Sequence, residues 1–230
     1  MAGADEALFR PVRAGNAFEE TVERLLQSVR LGVVGAGERL PPERELAERL
    51  GVSRVTLREA LHALSDAGYV ESRRGRYGGT FVRETLPTPV VDEQRPDLED
   101  TLSLRHVLET GAAELAARTL RGPGRAHLTA TLEDAAAASL TDYRRRDSRL
   151  HLAIAEVTGS PSLTSAVAEA RMRINRLLDE IPLLEPNLQH SNTQHQAVVT
   201  AILDGDPVAA RQAMAEHLEG TTSLLRAFLS

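Results

Sequence analysis

Along this chain apolar residues return every three or four positions over most of its length, the spacing of helices that bury one face. In NAFEETVERLLQSVRLGV, Phe18, Val22, Leu25, Leu26 and Val29 share a face, which predicts an amphipathic helix. The stretch RLPPERELAERLGVSRVTLREALHALSDAGYVESRRGRYGGTFV that follows is more heavily punctuated. Pro42 suits the opening of a short helix that stops at Leu50 and Gly51, and Ser53 suits the N-cap of a second helix ending near Ala67 and Gly68. Two helices joined by so short a turn read as a helix-turn-helix. Beyond them YVES and TFVR flank the tip RRGRYGG, as the two strands of a small wing would.

The pattern then lapses. TLPTPVVDEQRPDLED carries three prolines and several acidic residues without helical periodicity, which places a linker at about 84–97. Helical spacing resumes in LRHVLETGAAELAARTL and continues in further blocks, broken at RGPG (121–124), TGSP (158–161), IPLLEPN (181–187) and DGDP (204–207). The expected fold is therefore mostly α. A winged helix-turn-helix with a small two-stranded wing fills residues 1–83, and an all-α bundle of six or seven helices fills residues 98–230.

Composition agrees with helices: Ala and Leu dominate the 230 residues, aromatics make up 3%, and there is no Trp. There is no Cys, which removes disulfides and thiolate chemistry. No apolar run approaches the roughly 18 residues of a membrane span, and MAGADEALFRPVRAGN lacks the apolar core of a signal peptide, so a cytoplasmic protein without a membrane partner is expected. The net charge of −6 argues at first against nucleic acid, but it is unevenly spread. Residues 1–85 hold 13 Arg against 13 Asp and Glu, whereas residues 86–230 hold 14 against 20, so the acidity belongs to the second part.

In the second helix of the punctuated stretch, Arg54 and Arg58 stand four residues apart on one face, where guanidinium groups reach guanine edges in a major groove. Ser53 and Thr56 place hydroxyls for phosphate, and Arg74 with Gly75 at the wing tip suits a minor groove. Taken one at a time, these arginines read equally well as solvated partners of Glu45, Glu48 and Glu59; as a set they point to DNA. The run LPPERELAERLGVSRVTLREALHALSDAGYVESRRGRYGGTFV closely resembles the winged helix-turn-helix of GntR-type bacterial transcription regulators, over residues 17–83 almost without a gap. That resemblance implies a homodimer on a palindromic double-stranded operator, and adds Arg44 as a base or backbone contact.

The second part carries its own chemistry. Two helices meet at DGDP, and so short a connection predicts an antiparallel hairpin. His195 lies 10 residues before Gly205 and His217 lies 12 after it, so the two stand level, each roughly 15–18 Å from the turn. In DSRLH, Asp147 and His151 share a face at i and i+4. One carboxylate and three imidazoles converging in a bundle would hold a divalent transition metal, zinc first and nickel or manganese as alternatives, with positions left open. Any one of these histidines alone would read as an ordinary surface or hydrogen-bonded residue, as His62, His106, His127 and His190 do.

LRHVLETGAAELAAR, DSRLHLAIAEVTGSPSL and HQAVVTAILDGDPVAARQAMAEHLE resemble, in order, the effector-binding FCD domain of the FadR subfamily. The resemblance implies the same four metal ligands and a small carboxylic acid as effector. By it Arg105 would grip the acid's carboxylate; from spacing alone, Arg105 is equally an i,i+4 partner of Glu109. Arg173 and Asn175 are further effector candidates that read equally as solvated. Three functions follow: a repressor governed by an organic acid at a metal, the same regulator binding a lipid or sugar acid without metal, and a metal-dependent hydrolase. The hydrolase lacks an HExxH motif and gives no reason for a DNA-reading head.

Overall fold

A computed structural model of the chain describes residues 9, 11–75, 78–87 and 96–229. It is mostly helical, and it divides into two compact units, Met1–Val91 with Gly220–Ser230, and Asp92–Glu219. The expected linker over 84–97 falls largely outside the described residues, as does Arg76 of the wing.

In the first unit helix α1 (Ala17–Arg30) buries the face read from sequence, Phe18, Val22, Leu25, Leu26 and Val29. Helix α2 (Glu43–Leu50) ends at Gly51, and helix α3 (Arg54–Asp66) starts from the Ser53 cap, whose Oγ accepts a hydrogen bond from Thr56 N at 3.0 Å. A serine cap of this kind is worth about 1 kcal/mol. Strands β1 (Val70–Arg73) and β2 (Gly79–Val82) pair antiparallel, with Val70 opposite Val82 and Arg73 opposite Gly79. Residues 38–40 extend this sheet on its other edge: Leu40 N donates to Thr80 O, Val82 N donates to Glu38 O, and Arg39 bridges Phe81.

The second unit is the expected bundle. Its helices are α4 (Leu98–Thr119), α5 (Gly122–Ala136), α6 (Tyr143–Glu156), α7 (Pro161–Asp179), α8 (Glu185–Asp204) and α9 (Pro207–Leu229), six among the described residues. Ala112, Ala113, Ala116, Leu128, Leu150, Ile154, Val199, Ile202 and Met214 interlock as its core. The small alanine face of α4 lets neighbouring helices come close. The α8–α9 turn needs Gly205, which takes φ 73°, and Asp206 Oδ1 caps α9 by accepting from Val208 N and Ala209 N.

The end of α9 departs from the expectation that the bundle would run to residue 230. Residues 220–230 group with the first unit, because their sequence GTTSLLRAFLS is apolar enough to pack there. Leu224, Leu225, Ala227 and Phe228 are buried, Arg30 Nη2 donates to Phe228 O at 2.6 Å, and Tyr69 meets the Phe228 ring edge-on.

Candidate metal centre and DNA-reading surface

Four of the predicted residues meet inside the helical unit. Asp147 and His151 come from consecutive turns of α6, His195 from α8 and His217 from α9; all are buried, and their ligand atoms lie within 4.8 Å of one another. His217 Nε2 stands 3.2 Å from both His195 Nε2 and His151 Nε2, and Asp147 Oδ1 stands 3.2 Å from His195 Nε2 and 3.7 Å from His151 Nε2. The DGDP hairpin brings the two later histidines level, as their offsets from Gly205 predict.

The partners of the outer ring nitrogens decide which inner atoms carry protons. His151 Nδ1 lies 2.6 Å from Glu109 Oε2, and His217 Nδ1 lies 3.4 Å from Gln194 Oε1. A ring nitrogen facing an acceptor oxygen bears the hydrogen, so in the neutral rings both Nε2 atoms present lone pairs, and they present them to each other. A proton on His195 Nε2 would serve either Asp147 or His217 and leave the His151–His217 contact unrelieved. A cation relieves all of these contacts at once. Three imidazole nitrogens and one carboxylate oxygen are also a donor set that suits a first-row divalent metal, so the residues fit the ion.

Electrostatics keeps the donors in their ligating forms. Burial pushes His151 and His217 down, and at His217 the other two histidines push further, so these imidazoles are neutral at pH 7. Burial alone would raise both carboxylates. Arg171, with a hydrogen bond from His195, instead holds Asp147 well below the usual carboxylate range, and Arg105 and Arg171, with a hydrogen bond from His151, do the same for Glu109.

Around the ligands lies a buried ionic layer. Arg105 Nε sits 3.3 Å from Glu109 Oε1, and Arg171 Nη1 sits 3.8 Å from the same oxygen. Arg171 Nη2 also donates to Asp147 Oδ2 and, at 3.0 Å, to Ser148 Oγ. Arg105, Glu109 and Arg171 are each no more than 2% exposed. Even so, Arg105 Nη1 and Arg171 Nε and Nη1 have no hydrogen-bond partner among the described residues, donors left over beside the ligand cluster.

The predicted effector residues divide. Arg105 lies in this layer, pairing with Glu109 through Nε while Nη1 has no hydrogen-bond partner among the described residues. Asn175 donates to Ser148 Oγ at 3.0 Å and so touches the layer through that hydroxyl. Arg173 does not reach it: the side chain is half-exposed and bound to Glu169 at 2.7 Å and Asp100 at 3.5 Å. Arg171 takes the inward place. The signal for it was available, because Val167, Ala170, Arg171, Ile174 and Leu177 form the buried stripe of α7 at helical spacing, and Arg173 lies off that stripe. Glu109 shares the corresponding stripe of α4 with Leu102, Arg105, Ala112, Ala113 and Ala116.

On the first unit, Arg44, Arg54 and Arg58 are exposed along α2 and α3. Arg44 lies 3.8 Å from Glu48, Arg58 lies 2.7 Å from Glu43, and Arg54 makes no ion pair among the described residues. Ser53 and Thr56 join their hydroxyls at 2.9 Å at the start of α3. Arg74 and Gly75 are exposed at the wing tip, where Gly75 takes φ 105°. Val55, near the start of α3 just before Thr56, is 64% exposed, an apolar group left in water.

A winged helix-turn-helix together with an all-helical unit around a buried polar centre defines the class of DNA-binding transcription regulators that carry a helical effector domain. The chain belongs to the GntR family of bacterial regulatory proteins, whose sequence profile matches residues 18–82, and it carries an FCD domain, matched over residues 100–220. RmpR of Mycobacterium gastri, named as an HTH-type transcriptional regulator, is 35% identical over 92% of this chain and 81% of its own length. An Escherichia coli (strain K12) protein named as a regulatory protein of the L-lactate dehydrogenase operon is 32% identical over 95% of this chain and 88% of its own. The solved structure of Streptococcus agalactiae GntR covers 89% of this chain and 98% of its own, at 26% identity and a TM-score of 0.49. The relatives are regulators, which removes the hydrolase reading. No helix of the described residues is long and apolar enough to cross a membrane.

Proposed function

We propose that this protein is a homodimeric, FadR-type repressor, acting in the cytoplasm, whose grip on a palindromic operator is set by a small organic acid bound at a divalent metal, zinc in the first place. The observation that carries the reading is the meeting of three imidazole Nε2 atoms and the Asp147 carboxylate beside guanidinium nitrogens that have no hydrogen-bond partner among the described residues. Asp147, His151, His195 and His217 would hold the ion. Once bound, it would supply a Lewis-acidic centre with open positions for carboxylate oxygen.

The chain's own residues do the rest. Glu109 fixes the His151 ring through Nδ1, and Arg171 fixes the Asp147 carboxylate, so both ligands are oriented before any ion arrives. Arg105 Nη1 and Arg171 Nη1 and Nε are donors without partners, and an acid carboxylate would satisfy them. The relative named for the L-lactate dehydrogenase operon supports a small organic acid over a lipid. Ser53, Arg54, Thr56 and Arg58 at the start of α3, with Arg44, Arg74 and Gly75, would contact the operator.

A thermal-shift screen of carboxylic acids, run with and without a chelator, tests the effector side. A true effector at 100 times its Kd should stabilise the metal-loaded protein by about 2.7 kcal/mol and the chelated protein hardly at all. Equal stabilisation in chelator would instead establish direct binding of the acid without a metal.

A further inference from the structure

The first unit holds a cleft of about 380 Å3 whose walls include Arg39, Pro42 and Glu43, Leu61 of α3, Arg73 of β1 and Gly79 of β2. It lies against the reading helix: Glu43 on its wall is the residue that holds Arg58, at 2.7 Å. Of the two arginines lining it, Arg73 is occupied, paired with Glu71 at 2.7 Å and stacked 4.4 Å above the Phe81 ring. Arg39 makes no ion pair among the described residues.

Arg39 is nevertheless fixed in place. Its neighbours' backbones bond β2 on both sides, through Leu40 N to Thr80 O at 2.9 Å and Val82 N to Glu38 O at 2.9 Å, so residue 39 occupies a set position at the sheet edge. Its guanidinium lies over Gly79, where a Cβ would come within 2.5 Å of Arg39 Nε, and Gly79 takes φ 148°, a conformation that side chains disfavour. Glycine at position 79 thus leaves room for this arginine between reading helix and wing.

DNA geometry says what belongs there. With α3 in a major groove and the wing tip in the adjoining minor groove, the sugar-phosphate strand dividing the two grooves must pass between helix and wing. We propose that Arg39 contacts a phosphate of that strand and sets the spacing of wing to reading helix on the duplex, a role separate from base reading by Arg54 and Arg58. It rests on the assignment of α3 as the reading helix.

The test uses the full-length protein and two duplexes, a mixed-sequence 30-bp DNA and an operator selected by the protein from a random pool, titrated across ionic strength. Arg39→Gln should weaken binding to both by a similar factor and lower the salt slope, log K against log salt, by about 0.9, the value of one phosphate contact. Arg39→Lys should restore the slope. Unchanged affinity and slope in Arg39→Gln would overturn the proposal, as would a loss confined to the selected operator, which marks base reading. Arg54→Ala run alongside separates the premise: it should erase preference for the operator while leaving mixed-sequence binding largely in place. If that preference survives, the reading-helix assignment fails, and the mixed-sequence slope of Arg39→Gln still decides for or against the phosphate contact.

Discussion

Replacing Glu109 with alanine is expected to cost the metal-free protein about 3–5 kcal/mol, the range for removing one partner from a buried ion pair. The magnitude follows from what stays behind. Arg105 and Arg171 are each 2% exposed, and Glu109 is the carboxylate that both approach, Arg171 having Asp147 as its second. Without it two guanidinium groups face each other in a dry interior, and His151 Nδ1 loses its acceptor at 2.6 Å. Glu114, one turn further along α4, supplies the control. It binds Arg118 and Arg211, both about half exposed, and pairs of that kind contribute about 0–1 kcal/mol. Urea unfolding of both variants in chelator reads the difference directly. A Glu109→Ala loss no larger than that of Glu114→Ala would mean that the buried layer is not held by charge. The same variant should bind zinc 10–100 times more weakly, since the ring that Glu109 orients belongs to the proposed metal site.

The contrast between Glu109 and Glu114 also shows what could be read from sequence and what could not. Gly51, Ser53 and the RRGRYGG tip set the helix-turn-helix and wing because capping and turn chemistry act within a few residues. The clustering of Asp147, His151, His195 and His217 was legible for a related reason: one pair shares a helix face at i and i+4, and the other straddles a turn too short to allow a different register. Arg171 and Glu109 depend on how α7 and α4 rotate toward α6, which is settled by packing between helices distant in sequence. Even there a trace existed, since Arg171 is a charged residue inside an otherwise apolar stripe, and Glu109 follows Arg105 by four residues on the buried face of α4. Arg173, two residues from Arg171 and so more than half a helical turn away, lies off the α7 stripe. The grouping of residues 220–230 with the first unit was not legible for the opposite reason: helical periodicity runs unbroken from Pro207 to Leu229 and carries no mark of which unit buries which part.

A second large effect should separate metal binding from mere packing at His217. Asp147, His151, His195 and His217 bring imidazole Nε2 atoms to 3.2 Å from one another with a carboxylate beside them. Exchanging His217 for glutamine keeps most of the side-chain volume while removing the nitrogen that faces both other rings. In chelator this variant should lie within about 1.5 kcal/mol of wild type, as volume-conserving core exchanges do. In zinc at 100 times the wild-type Kd, wild type should gain about 2.7 kcal/mol and the variant far less, so the gap opens only when the metal is present. Scanning calorimetry of four samples, two proteins each with and without zinc, measures that coupling. If zinc stabilises both proteins equally, or neither, His217 is a packing residue and the cluster is not a metal centre. A gap that is already full in chelator points the same way, because the imidazole would then be holding the bundle by its own contacts.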